Sequence, residues 1–454
     1  MHLVKLTMAK ILFVLIVACG LQMSAFAQEN SPYSRYGLGD LTPNHNVLTR
    51  GMAGISAGVA DTRSVNFTNP ASLAVIAEFP FKNTILDVAT DIDYRTLKST
   101  NPAKKFTSAN TYVSYLQLAF PLTTPKMIKK RMSWAMSFGL KPLTKINYKI
   151  EKIERLPGID SLHTLYEGSG GVNQAYLGTA FKYKNFSIGI NAGYTFGSKD
   201  YSTKLNFIND TVFYYSSNSE EKTSFGGVFI NGGIQYNFTL AKDDKKRITK
   251  VLTVGLYGNM QQNLKASNDI VRETIVYDQN GGTTTLDSVY KVKDVKGTIK
   301  LPAMVGFGAT YQDLHWLVGA DFEYGNWSSY RYYGQKDEVQ NNWTLRAGAQ
   351  YDPFKEGISL KKYFNFVKYR AGLYYGSDYI NTNKNRPEYG FTIGTGMPLT
   401  SLRRTNYNGE YVVLNTALEV GNRGNKQTNL RENVVRFSIG VSMNANWFRK
   451  PKYN

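Results

Sequence analysis

The side chains able to do chemistry in this chain are few and widely separated. Histidine occurs four times, and beyond the leader only as His45, His163 and His315. So scattered, they make neither a metal-spaced pair nor an acid–base couple beside a nucleophile, and each reads as a surface residue. No phosphate-cradling glycine loop or nucleophile elbow is read. Cys19 is the only cysteine, which excludes disulfides, thiolate catalysis and zinc–cysteine sites from a chain cleaved beyond it. One charged constellation stands out: Asp87, Asp91 and Asp93 fall on one side of a strand together with Arg95. Its chemistry is electrostatic. It is either a lumen gate or latch gripping Arg50 or Arg63, or a solvated lumen wall.

The elements that position these groups are strands. Val435, Phe437, Ile439, Val441, Met443 and Trp447 alternate with Arg436, Ser438, Gly440, Ser442, Asn444 and Asn446. Phe186, Ile188, Ile190, Ala192, Tyr194 and Phe196 alternate in the same way with Ser187, Gly189, Asn191, Gly193 and Thr195. A strand so patterned has one apolar and one polar face, as an outer-membrane barrel requires of strands between lipid and lumen. About fourteen such segments are expected from Thr84 onward, starting near Thr84, Asn110, Arg131, Val172, Asn185, Ser224, Lys250, Thr298, His315, Glu338, Asn365, Glu388, Asn408 and Arg431. No run of apolar residues after the leader is long enough for a membrane helix.

Connection lengths alternate. Lys184-Asn185 and Gln312-Asp313-Leu314 are tight, whereas long extracellular loops are expected near 143–171, 198–223 and 265–296. Basic residues gather at the short-turn end, among them Lys126, Lys129, Lys130, Arg131, Lys245, Lys246 and Arg247. These read as solvated turns beside anionic headgroups, with no aromatic–basic platform for nucleic acid. The chain's formal charge of +20 therefore speaks for lipid rather than nucleic acid.

The compartment comes from the N-terminus. Lys5 and Lys10 precede the apolar run Ile11–Ala18, and Ala25-Phe26-Ala27 precedes Gln28, so residues 1–27 read as a cleaved secretory signal peptide. Ile16-Val17-Ala18-Cys19 leaves a lipoprotein signal as the other option. Aromatics at 13%, with 32 Tyr and 40 Gly, fit an exported barrel better than a disordered chain.

Residues 28–80 lack the two-residue period and are rich in Gly, Ala, Asn and Ser. Residues 50–75 read RGMAGISAGVADTRSVNFTNPASLAV, and Gly51, Gly54, Asp61 and Asn69-Pro70-Ala71 resemble the N-terminal hatch of the FadL-type family of outer-membrane hydrophobic-compound transporters. The resemblance implies an all-β fold: a transmembrane antiparallel barrel of about fourteen strands over 81–454, with the hatch of 28–80 plugging its lumen. Small inward residues such as Ser133, Ser137, Gly189, Gly193, Gly255, Gly306 and Gly308 leave volume for such a plug.

The resemblance implies a non-enzymatic protein of the bacterial outer membrane. In that reading it passes a small hydrophobic ligand by passive diffusion, with membrane lipid around it and no cofactor or metal. The alternative is a structural or docking subunit of a larger outer-membrane complex, such as a secretion or assembly machine, bound to envelope protein partners. Long Tyr-rich connections suit either role.

Overall fold

Alternation along the chain decides the architecture. The computed structural model describes residues 31–78, 84–100, 103–156, 160–208, 214–244, 247–277, 282–354, 363–381, 386–400, 411–424 and 430–445. The signal-peptide expectation, the ends of the 28–80 segment, the Lys245–Lys246 pair and Trp447 lie outside the described residues. After β1 (Asp40–Leu41) come β2 (Thr84–Thr100), β3 (Ala103–Pro121), β4 (Met132–Leu156), β5 (Asp160–Tyr183) and β6 (Phe186–Ile208). There follow β7 (Ser216–Lys242), β8 (Ile248–Asn259), β9 (Gln262–Tyr277), β10 (Thr283–Leu301), β11 (Met304–Gln312) and β12 (Trp316–Gly325). The remainder are β13 (Arg331–Tyr332), β14 (Asn342–Tyr351), β15 (Lys368–Ser377), β16 (Pro387–Pro398), β17 (Tyr411–Arg423) and β18 (Leu430–Ala445).

Fourteen of these strands close a ring: β2 to β8, then β11, β12 and β14 to β18, each antiparallel to the next. β18 pairs back onto β2 from Ala445↔Thr84 to Leu430↔Ser99, so the sheet has no edge within the bilayer. The outer face is the apolar one. Ile188, Ile190, Val318, Leu345 and Phe391 are exposed to lipid, while Ser187, Asn191, Asp321 and Thr392 are buried in the lumen. Aromatic pairs mark both rims of the apolar band, with Trp316 against Tyr351 at 4.8 Å on the turn side and Trp343 against Tyr375 at 5.8 Å on the other. Along β12, Trp316 to Tyr324 spans roughly 27 Å, which strand tilt brings close to the thickness of an outer-membrane apolar band.

Where the expected long loops at 143–171, 198–223 and 265–296 are described, they are mostly β-structure. β4 and β5 stay paired from Thr144↔Val172 to Leu156↔Asp160, and β6 and β7 from Ser198↔Ser224 to Leu205↔Ser217. β9 and β10 form a hairpin that continues the sheet, β9 docking on Ser216–Gly226 of β7 while β8 takes Asn231–Lys242. The reason lies in the residues: Ile146 and Tyr148 are buried on the concave side, and the two-residue period runs on beyond the membrane. The barrel consequently carries a tall β-wall on one side only, since β11 to β16 span no more than the apolar band.

The segment 31–78 touches strands all around the ring, which places it inside. Val65, Leu73, Ala74 and Ile76 pack on Ala119, Ala135 and Ala180, whereas Leu48, Met52, Ile55 and Val59 pack on Leu317 across the lumen. Small inward residues make the fit possible. A side chain at Gly255 would collide with the Ala57 carbonyl, and one at Gly372 with the backbone of Met52 and Ala53.

Candidate functional site

The site grows from the inward face of β2. Asp87, Asp91, Asp93 and Arg95 alternate with outward residues, and all four are buried. Each of three levels on this one strand holds a different part of the hatch. At the lowest, Asp87 accepts from Ser64 Oγ at 2.5 Å, Val65 N at 3.2 Å and Tyr115 OH at 3.3 Å. At the middle, both Asp91 oxygens lie 2.6 Å from Arg50 Nη1. Arg50 also donates to the His45 carbonyl (2.8 Å), the Pro43 carbonyl (3.0 Å) and Ser114 Oγ (2.6 Å). At the top, Arg95 pairs with Asp40 of the hatch and with Glu432 at 2.9 Å.

The upper level extends into a network that sequence reasoning did not assemble. Asp40 also pairs with Arg423 at 2.7 Å, and Asp93 with Arg436 at 2.7 Å. Arg436 reaches Glu419 at 3.0 Å, and Arg423 reaches Asp378 at 3.2 Å. Burial favours the neutral Asp40 carboxyl, but the guanidiniums of Arg95 and Arg423 outweigh it and hold the group well below the usual carboxylate range. Alternation put Arg436 on the polar face of the last strand; which acid it met depended on ring closure of β18 on β2. A second anchor, also missed, stands across the lumen. Asp321 of β12 accepts the Ser56 and Ala57 amides at 2.5 and 2.7 Å.

The hatch-motif residues have specific places. Gly54 sits at φ +85, a left-handed conformation, and its absent side chain makes room for the His45 ring. Gly51 meets Gly394 of β16 almost backbone to backbone. Asp61 caps the Arg63 amide at 2.6 Å and faces Lys368 at 4.0 Å. Asn69 Oδ1 accepts from the Ala71 amide at 3.1 Å and its Nδ2 donates to the Ala57 carbonyl at 2.7 Å, so Pro70 starts the short 3-10 helix Pro70–Ala77 from a fixed cap. Arg63 stacks on Tyr411 rather than joining the Asp91 level.

Surface placement holds poorly for one histidine. His45 is buried, with Nδ1 3.1 Å from Ser56 Oγ. That serine lies in Gly54-Ile55-Ser56-Ala57-Gly58, but Asp321 binds the local backbone amides instead of the imidazole, so among the described residues it completes no relay of serine, histidine and acid. His163 Nε2 lies 4.0 Å from Glu151, and His315 Nδ1 2.9 Å from the Asp352 carbonyl. Above the hatch, toward the wall, lies a cavity of about 270 Å³. Charged and amide side chains line it together with apolar groups such as Leu143, Leu301 and Met304, and with the rings of Tyr176, Phe229, Trp327, Tyr374 and Tyr379.

The BamG family model matches residues 8–454 of this chain. The comparison with curated proteins gives no match. Among solved structures, the toluene transporter TodX of Pseudomonas putida is similar with a TM-score of 0.54 at 14% identity, over 90% of this chain and 100% of that one. A FadL homologue of Pseudomonas aeruginosa gives a TM-score of 0.54 at 14% identity, over 90% and 99% of the two chains. The CymD monoaromatic hydrocarbon channel gives 0.52 at 14% identity, over 91% and 100%. At such identities the likeness carries the fold alone, that of the barrels of these channels.

Proposed function

The chain belongs to the BamG family, and from that premise we propose that it is a closed outer-membrane barrel serving as a structural, docking subunit of a larger envelope assembly. One observation carries this reading. The lumen is occupied by a segment bound through buried ion pairs at Arg50–Asp91 and at Asp40, which pairs with both Arg95 and Arg423, while the barrel's tall β-wall extends beyond the apolar band. Apolar cargo would have to displace the guanidiniums and carboxylates that hold this segment, and their pairing must be broken to admit it. An extended sheet with exposed Leu286, Val289, Tyr290, Tyr214 and Tyr215 suits contact with other proteins.

A second reading, passage of small hydrophobic molecules by passive diffusion, is supported by the fold and by one local feature. β3 and β4 pair only from Leu116↔Leu140 to Pro121↔Ala135, and above that level a cavity of about 540 Å³ lies beside Tyr112, Val113, Phe196 and Phe225. Such a gap would admit a molecule between lumen and lipid.

Purification of the tagged protein from native membranes in mild detergent separates the two. Docking predicts stoichiometric recovery of other envelope proteins, lost when residues 267–296 are replaced by a two-residue turn. A lone barrel in both preparations, together with toluene uptake by liposomes carrying it, would replace docking with passage.

A further inference from the structure

We propose that the lumen cavity is a binding site for a small organic monoanion, whose carboxylate sits on the Lys141 ammonium. Lys141 is on the inward face of β4, opposite Gln174 of β5, and is only 6% exposed. Its Nζ donates to Asn44 Oδ1 and lies 4.8 Å from the centre of the Phe67 ring. Both partners are neutral. Other cations around the cavity have carboxylates: Arg50 has Asp91 at 2.6 Å, Arg346 has Glu323 at 3.2 Å and Arg436 has Asp93 at 2.7 Å. Among the described residues, none supplies Lys141 with a carboxylate at ion-pair distance.

An ammonium taken out of water needs a counter-charge to remain an ammonium without penalty, and here the empty volume beside it is where one fits. The surroundings say what the rest of the ligand is like. Gln174 Nε2 donates to Thr195 Oγ1 at 3.2 Å, which donates to Gln262 Oε1 at 3.1 Å, so a fixed row of amides and a hydroxyl forms one wall. Tyr176 and Phe229, 6.3 Å apart and edge to face, offer ring surface near it. A cavity of about 270 Å³ holds a molecule of on the order of ten non-hydrogen atoms. Glu323, Glu419 and Glu432 on the same lining are taken up by Arg346, Arg436 and Arg95, so the Lys141 ammonium, flat apolar surface and amide groups together select a compact carboxylate. A neutral hydrocarbon would leave the cation bare, and an amine would add a second. This site is independent of whether the barrel docks or conducts.

Benzoate is the probe, with benzylammonium and benzyl alcohol as charge-reversed and neutral counterparts. Binding is read by saturation-transfer NMR and titration calorimetry on the whole chain in detergent, against protein-free micelles. Wild type is expected to bind benzoate at least tenfold more tightly than benzylammonium. Lys141→Met should lose at least tenfold, and Lys141→Arg should recover most of it. Folding of each variant is checked by heat-modifiable electrophoretic migration. Should Lys141→Met not fold, the charge preference of the wild type still decides. Equal binding of the three probes, no benzoate binding, or undiminished binding by folded Lys141→Met would each overturn the proposal.

Discussion

Arg50 of the hatch places Nη1 2.6 Å from both oxygens of Asp91 of β2, with the two side chains 4% and 0% exposed. Removing one partner leaves the other charged and buried, at a cost of about 3–5 kcal/mol. Asp91→Ala and Arg50→Ala should each destabilise the hatch by that order, and the double variant by much less than the sum. A double-mutant cycle on hydrogen exchange of residues 43–56 measures it; additive losses would show that the pair is not coupled.

The same pair should limit leak. The double substitution Asp91→Ala and Asp93→Ala frees Arg50 and Arg436 from these partners together. Single-channel conductance in planar bilayers should rise from near zero to resolvable steps. Conductance unchanged from wild type would mean that other contacts, such as Asp321 with the Ser56 and Ala57 amides, hold the plug unaided.

Acid should loosen the top of the hatch. The Asp40 carboxyl is held below its ordinary value by Arg95 and Arg423 against the effect of burial. A group depressed on folding gives stability that is present above its unfolded pKa and lost as pH falls through the folded one. Exchange protection of residues 38–50 should therefore decline from about pH 5 downward. In Asp40→Asn it should be lower at neutral pH and flatter with pH. A variant with the wild-type slope would assign the acid sensitivity to other carboxyls.

Tight packing in the lumen predicts a steric phenotype. Gly255→Val puts side-chain atoms where the Ala57 carbonyl lies. Overpacking of this kind costs about 1–3 kcal/mol and is relieved by moving the hatch rather than the strand, whose ladder is complete on both sides. Protease sensitivity of residues 50–70 should increase with the barrel still heat-modifiable.

On the lipid face, Ile190→Arg should cost about 2–4 kcal/mol in reversible unfolding from bilayers, as a cation near the midplane does. Lys149→Ala, on the wall beyond the apolar band, should change stability little. Equal effects would mean the band is misplaced.

Much of this protein was legible from one-dimensional periodicity. Ile188 against Ser187, or Val435 against Arg436, can face lipid and lumen in only one way, because strand side chains alternate and the two media differ so strongly in polarity. The strand count came from the same rule, and residues 50–75 carried the likeness to a hatch. Wall strands such as β4 beyond Thr144 were misjudged as loops, since their period continues with mixed Lys, Tyr and Ile rather than a purely apolar face. A two-residue period fixes which face a side chain takes, and nothing more. That Arg50 meets Asp91 and not Asp87, that Asp321 reaches across to Ser56, and that Lys141 has only neutral partners were set by closure of the ring and by the height at which the hatch crosses each strand. Those distances join residues far apart in the chain, so they exist only once fourteen strands have enclosed a common interior.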